Sequence, residues 1–460
     1  FAKNATSKPP PAPLVKAMRR LFGAHAYGPG PAAQCGWSAD IPDAALDGPA
    51  LPGSATTDVA IIGAGYTGLT AALHLARAGV PVTVLDEHFP GHGASGRNGG
   101  FCCLGGSHLS SQEIATKYGA SALAEWRLTE RAAIDTVQAF LTDHAVDAQT
   151  HSNGETILAH SPRAFRDLIT LSAEVEAERG LRAALHTPQD LSDLGMSGPW
   201  HGGLTIPLGF GLHPRRYLKG LRDAALAAGA QIYAHSPVTA LTPGAPHRLT
   251  TPHGTLSARR LLVATNGYSS ENLPPWLGAR FMPAQSNVLM TRPITPDEQA
   301  EAGWTSAQMA YDSRNLLHYF RLLPDGRFLF GMRGGLLSSR RADEAMHKAT
   351  RHHFDRLFPA WSHVESPWNW SGMVSLAAHG LPFAGAIPDL PNAWAALSFH
   401  GNGVAMGSFA GALLAQLIKG ETPALYPSVM RVPPPRIPLG RFRRLAMPFA
   451  YAARGLADLR

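Results

Sequence analysis

A chain of 460 residues, 45% hydrophobic and 16% charged, exceeds what one core usually spans and is too apolar for disorder, so two interlocked domains are expected. No apolar run approaches the ~20 residues that cross a bilayer as a helix; no signal peptide is visible, and with Phe1 in first place a removed leader stays an open alternative. The net charge of +7 suits anionic groups such as a cofactor's phosphates, but no arginine- and aromatic-rich stripe points to nucleic acid.

Residues 1–55 are set apart as an N-terminal arm, of which 1–30 read as lying on the surface. Pro9, Pro10, Pro11 and Pro13 cluster there, and Lys16 to Phe22 is expected as a short basic helix. From Thr57 the character changes. Val59 to Ile62 is a continuous apolar run of buried-strand type. A glycine-rich turn follows, then a helix carrying Leu69, Ala72, Leu73 and Leu75 and stopping at Gly79. Val82 to Leu85 is a second strand, ending at Asp86. Helices are expected over Ala122 to Asp143, Pro162 to Arg179 (with Ser161 as N-cap) and Pro214 to Ala228. Gln231 to Ala234 is a strand, Pro252-His253-Gly254 a hairpin turn, and Leu261 to Ala264 an apolar strand. Residues 280–335 read as mostly β, with Asn287 to Thr291, Leu316 to Leu322, a Pro324-Asp325-Gly326 turn and Phe328 to Gly331. Gly403 to Lys419 is a small-residue helix closed by Gly420. Residues 426–460 form a basic tail.

Cys35, Cys102 and Cys103 make no disulfide framework, which sets a reducing, cytoplasmic compartment as the expectation. His347, His352 and His353 lack ligand spacing; they read as a solvated helix face, and no metal is expected.

The chemistry starts at Gly63-Ala64-Gly65-Tyr66-Thr67-Gly68. GxGxxG alone is weak, but here a strand precedes it and a helix follows. Gly63 permits the tight turn, Gly65 lets backbone approach a pyrophosphate, and Gly68 allows close helix–strand packing. The helix N-terminus presents amides and a positive dipole end to phosphate. Asp86, followed by Glu87, stands where a carboxylate accepts ribose hydroxyls and disfavours a 2′-phosphate. A second run, Gly93-Ala94-Ser95-Gly96-Arg97-Asn98-Gly99-Gly100, is so poor in side chains that its backbone is expected to lie against something flat or extended. Ser95 and Asn98 can bond phosphate or ring heteroatoms there, and Arg97 can balance pyrophosphate charge.

Together VAIIGAGYTGLTAALHLARAG, VTVLDE and GASGRNGG resemble the D-amino-acid-oxidase-like superfamily of FAD oxidoreductases. GASGRNGG is most similar to its gamma-glutamylputrescine oxidase branch, related to glycine and sarcosine oxidases. Gly211-Leu212-His213-Pro214 with Tyr217 resembles the turn into the third helix of the family's FAD domain. Pro237-Val238 resembles the segment that meets adenine, and Ala264-Thr265-Asn266-Gly267-Tyr268 the one that closes over the pyrophosphate. Phe399-His400-Gly401-Asn402-Gly403-Val404 resembles the C-terminal glycine-rich turn under the flavin.

The resemblance implies an α/β fold: a Rossmann-like FAD-binding domain of the glutathione-reductase type with an interleaved antiparallel-sheet α+β substrate domain. It places the discontinuous FAD domain at 56–110, 205–272 and 365–425, and the substrate domain at 111–204 and 273–364. It also implies non-covalent FAD and a small primary or secondary amine substrate, giving up a hydride to flavin N5 and leaving an imine that water hydrolyses, with O2 reduced to H2O2. Negative charge on the ring would meet the start of the helix from Gly403, and Gly407 and Gly411 would let that helix lie close to the sheet or cofactor. Cys102 and Cys103 are the cysteines nearest the expected ring if attachment were covalent.

On the substrate side Tyr319 and Arg321 alternate along one strand, so both are expected to face the cavity, Arg321 suiting a carboxylate and Tyr319 an amine or flavin edge. A surface strand position is the open alternative. His400 is expected near the ring. The family often carries Asp-Arg before Leu-Pro, where this chain reads Ala378-His379-Gly380-Leu381-Pro382, a departure that bears on the substrate. Two rivals stay open: a dehydrogenase passing electrons to a quinone or carrier, its basic tail lying on an anionic membrane instead of packing across its own domain, and a non-catalytic flavin-binding subunit.

Overall fold

The computed structural model describes residues 18–458, and two eight-stranded sheets organise them. The first runs Phe383–Ala386, Ala393–Leu397, Gly254–Val263, Ala55–Ile62, Val82–Leu85, Gln231–Tyr233, with His247–Thr251 and Ala240–Thr242 branching from Gly254–Val263. Its centre is parallel: Ala55–Ile62 pairs in that sense with both Gly254–Val263 and Val82–Leu85. A central parallel strand is covered on both faces, which is why it is apolar throughout and not alternating. Val59 and Ile61 feed a core beneath helices, while Ala60 and Ile62 feed a separate core on the opposite face.

Helices Tyr66–Arg77, Ala405–Lys419, Ala120–Asp143 and Pro214–Ala227 contribute to the first of those cores. Ala405–Lys419 lies tight on Tyr66–Arg77, since a Cβ at Gly411 would stand 2.4 Å from the carbonyl oxygen of Thr67. Its glycines therefore serve a helix–helix contact, not the expected approach to the sheet or cofactor.

The second sheet runs Trp368–Leu376, Met282–Pro293, Arg327–Arg333, His318–Leu322, Met309–Asp312, Glu155–Leu158, Gly203–Ile206, Ala184–His186. It is antiparallel except where Met309–Asp312 meets Glu155–Leu158. Phe320, Phe328 and Phe330 point to its outer face and pack with Trp304, Phe354, Phe358 and Trp361, so Tyr319 and Arg321 point inward by alternation. Trp368–Leu376 joins this sheet although the sequence assigned 365–425 to the nucleotide domain. Ala120–Asp143, assigned to the substrate domain, packs with the nucleotide-side helices.

Three expectations are corrected. The described part of the surface arm is not superficial, since Phe22, Ala26 and Tyr27 are buried; farther along, Trp37 is 1% exposed, packs with Val288, Met290, Leu329 and Trp370 of the second sheet, and donates its indole N–H to the carbonyl of Asn98 at 2.9 Å. An indole gains too much from burial, and from a partner for its N–H, to remain outside. Residues 18–22 are not helical; Lys16 and the proline cluster lie outside the described residues. In helix Arg340–Leu357, His353 is not simply solvated, because its Nδ1 meets His318 Nε2 at 2.8 Å, and His318 Nδ1 meets the buried Asp312 at 2.6 Å. Among the described residues no helix is long and apolar enough to cross a membrane.

The arm thus clamps the glycine-rich loop to the second sheet. Trp37→Ala is expected to cost about 3–5 kcal/mol, read as an earlier denaturation midpoint; a midpoint equal to the parent's contradicts the clamp.

Candidate functional site

A cavity of about 710 Å³ lies between the carboxyl ends of the parallel strands and the second sheet, where open α/β sheets bind ligands. Its floor begins at the first glycine turn. Gly63 has φ +104°, and a Cβ there would stand 2.8 Å from the carbonyl oxygen of Ala264. At Gly68 a Cβ would come within 1.9 Å of the Gly63 carbonyl oxygen, so any side chain would push the helix off the strand. Helix Tyr66–Arg77 starts at Gly65 without a side-chain cap. Its Tyr66 N–H donates instead to Ser95 Oγ at 3.0 Å. Asp86 accepts the N–H of Ala64 at 2.7 Å and of His88 at 3.0 Å; a carboxylate has lone pairs left for a ribose.

Asn98 holds the second loop in shape. Its Nδ2 donates to Tyr66 Oη at 3.1 Å and to the carbonyls of Ala94 and Ser95, while its Oδ1 accepts the Gly100 N–H at 2.8 Å. Ser95 and Asn98 therefore spend their polar atoms on the loop itself, and less on a ligand than the sequence suggested. Arg97 is buried, donates Nε to the carbonyl of His92 at 2.6 Å and Nη1 to that of Ser371 at 3.2 Å, and leaves Nη2 without a partner.

Of the sequence-derived cofactor residues, Gly63, Gly65, Tyr66, Thr67, Asp86, Glu87, Ala94, Ser95, Arg97, Asn98, Gly99, Val238, Ala264, Thr265, Asn266, Gly401, Asn402, Gly403 and Val404 line this one cavity. Ala64, Gly68, Gly96, Gly100 and Gly267 do not; they act behind it. A Cβ at Gly100 would collide with the Leu212 carbonyl oxygen at 2.0 Å, one at Gly96 with that of Gly91 at 2.5 Å, and one at Gly267 would crowd that of Met373 at 3.1 Å. Sequence reasoning missed Arg20 and Tyr27, which reach the cavity from the arm; Arg20 is ion-paired with Glu87.

The roof comes from the inner face of the second sheet. Tyr319 lines it as expected, its hydroxyl 3.1 Å from Ser286 Oγ. Arg321 does not. It is fully buried, with Nη2 donating to the Leu212 carbonyl at 2.7 Å and Nη1 lying 2.9 Å from His151 Nε2. Burial pulls its guanidinium down to about 9. Being inward-facing was not enough, because the Gly100 loop stands between Arg321 and the cavity. The cation that reaches the cavity from this sheet is Arg333, the last residue of its strand and two positions past Gly331, where the sequence reading ended it, with Nη2 on the carbonyl oxygen of His400 at 3.0 Å. Strand alternation past Gly331 was the signal for it. His400 lines the cavity with φ +53°. Burial first, then His108 and Arg333, hold its imidazole down at about 3, so the ring is neutral near pH 7. Glu155 and Tyr311, also unanticipated, complete the roof. Cys102 is buried away from the cavity; Cys103 lines it, with a thiol pushed well up by burial and by Glu155.

A family model described as DAO, FAD dependent oxidoreductase, matches residues 58–417. The chain belongs to this family. It is 32% identical over 387 residues to a probable oxidoreductase OrdL of Rhizobium meliloti, covering 82% of this chain and 86% of that one. With a gamma-glutamylputrescine oxidoreductase of Escherichia coli it shares 28% over 372 residues, 80% and 85% of the two chains. In fold it is similar to a glycine oxidase from Geobacillus kaustophilus (TM-score 0.67, 20% identity, 82% of this chain and 98% of that one). It is equally similar to an iminodiacetate oxidase from Chelativorans sp. BNC1 (TM-score 0.67, 19%, 81% and 98%).

The protein is thus a DAO-family, FAD-dependent oxidoreductase, and the donor set fits the cofactor. A carboxylate stands at the end of Val82–Leu85, an uncapped helix start follows the first turn, and Arg97, with Nη2 unpartnered, lines the same cavity. The turn 401–404, with Asn402 Oδ1 also lacking a partner, leads into Ala405–Lys419. Gly63→Ala is expected to weaken FAD binding to the apoprotein at least about tenfold, since a strained φ costs about 1–3 kcal/mol and the displaced Ala264 lines the same cavity. Gly53→Ala, where an added Cβ meets nothing within 4 Å, is the control. Equal affinities for both variants in a flavin-fluorescence titration contradict the cradle.

Proposed function

We propose that the chain is an oxidase of small primary or secondary amines or amino acids, with non-covalent FAD and O2 as acceptor. One observation carries this reading: the cavity does not end at the nucleotide cradle but continues beneath the second sheet, where Tyr319, Ser286, Arg333 and His400 face the same space. Likeness to a gamma-glutamylputrescine oxidoreductase in sequence, and to glycine and iminodiacetate oxidases in fold, supports it.

Bound FAD would supply a two-electron acceptor for the hydride on the carbon bearing the amine. The chain's own contribution is placement. Tyr319 and Ser286 offer hydroxyls that accept or donate as the substrate nitrogen requires. Neutral His400 adds no charge that would repel an ammonium. The amides at the start of Ala405–Lys419 stabilise negative charge arriving at that end of the cavity. The second sheet, backed by its aromatic outer face, excludes bulk water, which strengthens each of these interactions. Water then hydrolyses the imine product. Arg321 is proposed to act at one remove, by supporting the Gly100 loop, and the raised Cys103 thiol is a poor nucleophile for flavin attachment.

Transfer to a quinone or carrier is a second reading, favoured by exposed Leu439, Phe442, Leu445 and Phe449 in the basic tail. Arg443 of the same tail packs across its own domain, bound to Glu271 at 2.5 Å and to the Phe281 carbonyl at 2.9 Å.

In an anaerobic amine panel the flavin is expected to bleach with at least one primary or secondary amine and with no alcohol or hydroxy acid; no bleaching by any amine sinks the proposal. Under air the same amine is expected to yield H2O2, whereas dye reduction without peroxide selects the second reading. Acid precipitation is expected to leave the flavin in the supernatant, and yellow precipitate contradicts non-covalent binding.

A further inference from the structure

The roof holds a buried carboxylate with no ion pair of its own among the described residues. Glu155 begins the strand Glu155–Leu158, flanked in the sheet by Met309–Asp312 and Gly203–Ile206. It is 3% exposed, yet it lines the cavity. Its polar partner is the Cys103 thiol, and it forms no ion pair with any described residue. The charged groups packed around it come from three elements. Glu130, on Ala120–Asp143, accepts the Gly105 N–H at 3.1 Å and pairs with Arg179 of Pro162–Arg179 at 2.5 Å. Arg179 makes its ion pair with Glu130 and offsets Glu155 only from a distance. The Tyr311 phenol, on Met309–Asp312, is pushed well up by burial and by Glu155, and stays neutral. Arg127 also acts on Glu130 but is ion-paired with Glu178, so Glu155 has no guanidinium bonded to it and opens into the cavity. Burying a carboxylate without a cation costs several kcal/mol, so such a group takes up a proton or a cationic ligand.

We infer that Glu155 receives the ammonium group of the substrate, so that this site selects a cationic aliphatic amine. The inference rests on the amine-oxidising reading above and deepens it. Leu104 and Leu317 line the same cavity and suit the methylene chain of such a ligand. Without ligand, burial holds the Glu155 carboxyl up at about 8, so below that pH it carries a proton. An arriving ammonium favours the ionised form and drives the proton off. Affinity therefore rises as pH rises through about 8, and falls again where the ligand loses its own charge, near pH ~10. The ammonium has two possible sources, the reacting amine itself or the far amine of a diamine.

The test is equilibrium binding to the holoenzyme of tert-alkyl amines, which lack hydrogen on the carbon bearing nitrogen and so cannot be oxidised there. Binding is followed by the change in flavin absorbance and by calorimetry. The wild-type protein is expected to bind a tert-alkylammonium at least about tenfold more tightly than the alcohol of equal shape, with the pH dependence above. E155Q, at unchanged FAD content, is expected to lose both the preference and the pH-dependent rise. An equal loss for mono- and diamines assigns the ammonium to the reacting nitrogen, and a loss confined to diamines assigns it to the far one. If E155Q fails to hold FAD, the wild-type comparison of amine with alcohol across pH decides alone. No preference for the cation in the wild type, or a preference unchanged in E155Q for monoamines and diamines alike, overturns the inference. The two proposals can fail separately. Ammonium binding through Glu155 without bleaching by any amine removes only the oxidase reading. Bleaching that persists in E155Q with unchanged amine affinity removes only this one.

Discussion

The site depends on the way two glycine-rich segments are stitched together before any ligand enters. Tyr66 opens the helix after the first turn, and Ser95 and Asn98 belong to the second loop. Two hydrogen bonds, Tyr66 N–H to Ser95 Oγ and Asn98 Nδ2 to Tyr66 Oη, join segments some thirty residues apart, and Asn98 Oδ1, accepting the Gly100 N–H, braces the second loop, so that they make one rigid cradle. Trp37 then fixes that cradle to the second sheet through the Asn98 carbonyl. Buried polar networks of this kind are costly when half satisfied and rigid when complete. Here completion is internal, which frees Arg97 Nη2, the helix-start amides and Asp86 for a nucleotide.

The roof follows a different rule. Its strands alternate, so aromatic side chains fill the outer face while Tyr319, Ser286, Arg333 and Glu155 turn toward the cavity. The floor supplies backbone amides, glycine turns and a helix dipole; the roof supplies hydroxyls and single charges of each sign. Under the proposed function that division would put cofactor recognition on main-chain geometry and substrate recognition on side chains, where one fold can change its substrate without changing its cofactor.

Much of the floor was legible in the sequence because glycine spacing, strand ends and an acidic residue are local signals. Strand Val59 to Ile62, the Gly63–Gly68 turn, Asp86 and the helix ending at Gly420 could each be read from a short window. The roof was legible only in part. Tyr319 followed from alternation, but Arg321 obeyed the same alternation and still lay behind Gly100, since period fixes a face and not what covers it. Glu155 escaped notice because a lone glutamate in an apolar stretch carries no pattern, and its meaning comes from Cys103, Glu130 and Arg179, which lie far away in sequence. Trp37 was hidden by its setting in a proline- and alanine-rich stretch that resembles a loose arm.

Convergence of these turns on one isoalloxazine nucleotide is the claim that supports the rest, and flavin stoichiometry tests it most directly. The purified chain, or its apoprotein titrated with FAD, is predicted to show the yellow absorption of a bound flavin at one equivalent per chain. Protein that is colourless and takes up no FAD on titration would contradict the account.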